Sequence, residues 1–110
     1  MKSEMEQIEI SIEQAKEKIA KTEALGRLME SQDWKDVIED GYFVQEASNV
    51  VLLKATPGFA EEDKQKQLNR QIIAIGAFRQ YLSSIFQIGG MAQKSIEEYE
   101  QMKTEILDGE

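Results

Sequence analysis

The chain has no cysteine and no histidine in 110 residues, and a single proline, Pro57. Without thiols there is no disulfide and no thiolate nucleophile; without imidazole there is no histidine acid–base catalysis and almost no zinc chemistry. Cysteine-free composition fits a reducing compartment. Basic residues are also scarce: 13 Lys and Arg stand against 21 Asp and Glu, for a net charge of −8. Direct nucleic-acid binding is not expected, because it rests on Lys and Arg displacing counterions from phosphates. No apolar run approaches the roughly 18 residues a bilayer span requires, and the acidic stretch Met1–Gln14 has no signal-peptide apolar core. The expectation is a soluble intracellular protein with no membrane contact and no cofactor.

What remains is a chain of helix formers: Glu, Gln, Lys, Ala, Ile and Leu dominate. The densest apolar stretch is Gln71–Gln87, which holds no acid. At helical spacing Leu68, Ile72, Ile75, Leu82 and Phe86 form one stripe, and Phe78, Tyr81, Ile85 and Ile88 form a second. So wide an apolar arc requires cover on more than one side.

The preceding segments supply candidates for that cover. Ser3 is placed to cap a first helix, with Glu6 three residues on. Met5, Ile8, Ile12, Ala15 and Ile19 then recur at steps of three and four, a narrow coiled-coil seam that degrades at Thr22 and Gly26. Ile10 lies off that seam and offers a second contact face. Ser31 or Asp33 can cap a second helix, which carries Trp34, Val37, Ile38, Gly41, Tyr42, Ser48 and Leu52 on one side, with Phe43 elsewhere. Gly41 either interrupts this helix or admits a close neighbour helix; the spacing on both sides favours continuity. Thr56-Pro57-Gly58 is the clearest loop, and Phe59 is placed to pin it to the core. Glu61, Glu62 and Asp63 suit the positive end of a third helix. Gly89-Gly90 either breaks that helix or marks a patch where another helix packs tightly. The expected fold is all-α: one domain with three main helices at about 3–29, 32–54 and 61–107, as an elongated helical hairpin or bundle that self-associates.

The remaining catalytic option is paired carboxylates. Glu97, Glu100, Glu105 and Asp108 give two closely spaced acidic pairs, but both sit on one helix end with no basic phosphate-binding group, so a solvated acidic tail is the better reading. Arg79 stands where the first stripe wants an apolar residue. Either it pairs with Asp36, Glu39 or Asp40, or its stem covers the core while its head reaches water. The residues expected to form the core and interaction faces are Ile8, Ile12, Ile19, Trp34, Tyr42, Phe43, Ile72, Ile75, Phe78, Arg79, Leu82, Ile85 and Phe86. No catalytic, cofactor or metal residue is assigned.

Two stretches together carry a resemblance. They are Asp33-Trp34-Lys35-Asp36-Val37-Ile38-Glu39-Asp40-Gly41-Tyr42-Phe43, continuing to Leu52-Leu53-Lys54-Ala55, and Asn69-Arg70-Gln71-Ile72-Ile73-Ala74-Ile75-Gly76-Ala77-Phe78-Arg79-Gln80-Tyr81. They resemble a group of small helical tailed-bacteriophage proteins that begin with a charged helix, over about residues 5–105. The resemblance implies a phage origin and a role tied to the virion or its assembly, in the host cytoplasm or in the particle. It brings no catalytic residues. The expected function is therefore a non-enzymatic phage accessory, structural or assembly protein, acting as a homo-oligomer or on another virion or host protein. The alternative is an acidic module that occludes a host nucleic-acid-binding protein, for which the acids from Glu30 to Glu46 are the candidates.

Overall fold

Serine hydroxyls set the first two helix boundaries. The computed structural model describes residues 3–109. Helix α1 (Glu4–Glu30) starts at Ser3, whose hydroxyl oxygen accepts from the Glu6 amide at 3.1 Å. That satisfies one of the amides a first turn leaves unpaired. At the other end Ser31 is extended, with φ −69° and ψ 145°. Its hydroxyl donates to the Leu28 carbonyl at 2.8 Å and accepts from the Trp34 amide at 3.1 Å. One side chain thus closes α1 and opens the next segment, and the cap is Ser31 rather than Asp33.

The second segment is not a uniform α-helix. A short α2 (Gln32–Trp34) passes into a π-helix at Lys35–Glu46, then into α3 (Ala47–Lys54). π-turns usually occur singly; here they continue for 12 residues. Gly41 explains part of this. A Cβ at that position would stand 3.0 Å from the Asp36 carbonyl oxygen, five residues back. The glycine therefore neither breaks the helix nor receives a second one. Its close neighbour is its own backbone in the wider turn.

The loop follows its proline. Thr56 is extended (ψ 126°) ahead of Pro57, and Pro57–Phe59 makes a 3-10 turn. Three side chains clamp it. Gln65 Nε2 donates to the Lys54 and Phe59 carbonyls at 3.1 and 2.7 Å; Lys64 Nζ donates to the Gly58 carbonyl at 3.1 Å and lies over the Phe59 ring; Lys54 Nζ donates to Asn69 Oδ1 at 2.6 Å. Helix α4 (Glu62–Asp108) then runs unbroken through Gly89-Gly90, about 70 Å at the usual rise per residue. The fold is all-α, with three helical segments and no strand among the described residues.

The chain divides into two compact units. The terminal unit joins α1 up to Leu25 with α4 from Ser83 onward. These stretches run antiparallel: Thr22 Oγ1 donates to the Ile85 carbonyl at 2.9 Å, while Glu9 and Ile12 lie beside Glu100 and Lys103. Ile8, Ile12, Ala15 and Leu25 of α1 and Ile85, Gly89 and Ala92 of α4 are its buried residues. The middle unit, Gly26–Leu82, buries Trp34, Val50, Leu68, Ile75 and Leu82, with Val50 wholly inaccessible. Each such aliphatic side chain contributes roughly 1.5–3 kcal/mol.

Candidate functional site

In the middle unit the π-helix decides which side chains meet. A π-turn takes roughly 4.4 residues, so side chains nine apart stack one above the other, whereas in an α-helix they point to opposite sides. Trp34 and Phe43 are nine apart, and both rings reach Phe78, at centroid distances of 6.4 and 5.7 Å. Tyr42 meets Phe78 edge-on at 6.1 Å and Phe43 at 5.8 Å. The same register brings Glu39 to Trp34, whose Nε1 donates to Glu39 Oε1 at 3.2 Å across five residues. Phe78 of α4 is thus the hub of a four-ring cluster completed by Trp34 at the end of α2 and by Tyr42 and Phe43 of the π-helix. The 3.6-residue reading of this segment set Phe43 apart from Trp34 and Tyr42, and it put Val37 and Leu52 inward. Those two are 64% and 67% exposed.

Arg79 is exposed, and its guanidinium carbon lies 5.6 Å from the Phe43 ring centroid. It forms no ion pair with Asp36, Glu39 or Asp40, unlike Lys16 and Lys66, which pair with Glu13 and Glu62. Of the two roles the sequence offered, the cation riding over the core is the one present. A stacked, solvated cation of this kind is worth about 0.5–1 kcal/mol. Arg79→Met should therefore change the unfolding free energy by no more than that and leave the oligomeric state unchanged. A loss several times larger in chemical denaturation would mean that the guanidinium holds something else.

The other expected core residues fall as follows. Ile75 and Leu82 are buried and Ile72 half-buried in the middle unit; Ile8, Ile12 and Ile85 are buried and Ile19 half-buried in the terminal unit. Phe86 departs from its stripe and is 42% exposed. The buried line on α4 passes from Leu82 to Ile85 and Gly89, one step away from it.

The terminal unit carries the surface feature that the sequence reading missed. Between α1 and α4 runs a groove of about 340 Å³. Ile88, Met91, Ala92, Ser95 and Tyr99 line it from α4; Ser11, Gln14, Ala15 and Lys18 line it from α1. Ile88 and Met91 remain 46% and 69% exposed. A trace of this was present in the sequence. Ile88, Met91 and Ser95 keep the three-four spacing one residue ahead of the buried Gly89 and Ala92 and the half-buried Ile96, so they form a second seam beside the first. Next to the groove Ile10 stands among Glu6, Glu9, Glu13 and Glu17, and Gln14 borders both features.

Glu97, Glu100, Glu105 and Asp108 are all exposed, and no group of three or more acids among the described residues converges on a point that could hold a metal ion. No described helix is long and apolar enough to cross a membrane. No family model, curated protein or solved structure matches the chain.

Proposed function

We propose that this chain is a non-enzymatic helical protein that works by self-association, as a phage accessory, structural or assembly component that offers a helix face to a second copy or to another virion protein. One observation carries the reading: the α1–α4 groove, with Ile88 and Met91 exposed along it. Apolar side chains aligned on one helix beside an already buried seam are what a helix uses when it serves two neighbours at once. The unbroken α4 adds support, since its apolar arc extends beyond the line that α1 covers. The phage setting rests on the resemblance in the Asp33–Ala55 and Asn69–Tyr81 stretches.

Light scattering on a size-exclusion column, across a range of protein concentrations, tests the reading. A defined oligomer persisting on dilution is the expected result. A monomer at every concentration overturns self-association. It would favour the acidic-module reading, for which the four glutamates around Ile10 are the specific support.

A further inference from the structure

The charges of α1 are divided along its length. From Glu4 to Gln14 it carries Glu4, Glu6, Glu9 and Glu13 and no base. From Ala15 to Leu25 it carries Lys16, Lys18 and Lys21 against Glu17 and Glu23. Two copies of such a helix side by side repel when parallel, since the four-acid half of one meets the four-acid half of the other. Antiparallel, each acidic half meets a half with net positive charge. A two-fold axis produces that arrangement, because it makes one surface complementary to itself.

The apolar features fix where the axis passes. Gln14 borders both the groove and the strip around Ile10. With an axis at Gln14, residue 10 of one copy stands level with residue 18 of the other. Lys18 and Met91 line the same groove, so Ile10 arrives over the exposed Met91 and Ile88. The axis repeats the contact on the other side. We infer that the occupant of the groove is a second copy of this chain, seated antiparallel across a two-fold axis at Gln14, with Ile10 of each copy in the α1–α4 groove of the other and the acidic half of each α1 against the basic half of its mate. The inference rests on the self-association proposed above and adds its face, its direction and its symmetry.

The absence of cysteine makes the test direct, because an introduced thiol has no competitor. Gln7 and Gln14 are both exposed, so each accepts cysteine without disturbing the core. Across the inferred axis two Gln14→Cys thiols face each other. Two Gln7→Cys thiols are separated by twice seven residues of helix rise, about 21 Å, far beyond disulfide reach. Under mild oxidation the Gln14→Cys protein should cross-link to a dimer and the Gln7→Cys protein should not. Ile10→Asp should weaken association at least tenfold by light scattering while leaving the far-ultraviolet circular dichroism unchanged. Cross-linking of Gln7→Cys to itself would show a parallel pair and overturn the inference while self-association stands. An oligomer in which neither thiol cross-links would place the interface on another face, with the same consequence. A monomer at all concentrations would remove both the inference and the reading beneath it.

Discussion

Phe78→Ala should destabilise the protein by about 3 kcal/mol, the low end of the range for aromatic truncation in a core, because the ring is half-buried rather than enclosed. The size follows from its position as hub. Trp34, Tyr42 and Phe43 all stand within 6.4 Å of it, centroid to centroid, and its removal leaves three rings facing a void. Such ring pairs add about 0.5–1.5 kcal/mol each beyond area burial, and that part is lost even if the π-helix settles inward. Phe78→Leu keeps most of the volume and none of the ring geometry, so it should cost less than Phe78→Ala but still about 1.5–2 kcal/mol, the share carried by the three ring pairs. The readout is built in: Trp34 is the only tryptophan and lies on the cluster. Its emission should shift to longer wavelength in Phe78→Ala as water reaches the indole, and the midpoint of urea unfolding should fall with it. Unchanged emission together with an unchanged midpoint would mean that the four rings are neighbours without being a core.

The origin of this cluster shows where the sequence is legible and where it is not. Helix ends are written in short-range chemistry, and Ser3, Ser31 and Pro57-Gly58 mark them where the structure has them. The buried seam of the terminal unit is equally plain, because Ile8, Ile12 and Ala15 on one side and Ile85 and Ala92 on the other obey a single period. The π-helix is different. Apolar periodicity at 3.6 residues assumes the turn it is used to detect, so a segment that closes its hydrogen bonds one residue later is assigned the wrong inward face. Phe43 is the cost of that assumption, and Val37 its mirror image. Glycine gave the local cue at Gly41, but a glycine in a helix is compatible with a break, a close neighbour or a wide turn, and only the position of the Asp36 carbonyl separates them. Phe86 and the groove failed for a related reason. Helix α4 carries two apolar seams roughly 100° apart, and the sequence alone does not say which one α1 takes.

Gly89→Ala and Gly90→Ala should move stability in opposite directions, although the two residues are adjacent on the same helix. At Gly90 nothing lies within 4 Å of the position a Cβ would take, so the substitution brings only the helix preference of alanine over glycine, a gain of up to about 1 kcal/mol. At Gly89 the added Cβ would enter the Thr22 side chain: it would press on Oγ1, stand 2.7 Å from Cβ and 3.0 Å from Cγ2. Thr22 cannot rotate away freely. Its hydroxyl bonds the Ile85 carbonyl at 2.9 Å and the Lys18 carbonyl at 3.1 Å, and a β-branched side chain on a helix has few rotamers. Overpacking of about 1–3 kcal/mol and a hydrogen bond worth about 1 kcal/mol then outweigh the propensity gain, for a net loss of about 2 kcal/mol. For a chain of this size that is a fall of roughly 10 °C in melting temperature. The rescue discriminates further. Thr22→Ala keeps the offending Cβ and should restore Gly89→Ala only in part, whereas Thr22→Gly exchanges the small residue from one helix to the other and should bring the double variant to within about 1 kcal/mol of the original. Thr22, which breaks the apolar seam of α1 in sequence, is on this account the residue that Gly89 exists to receive. If Gly89→Ala melts as high as Gly90→Ala, the helices do not meet there, and the antiparallel pairing of α1 with α4 loses its contact at Thr22 and Gly89.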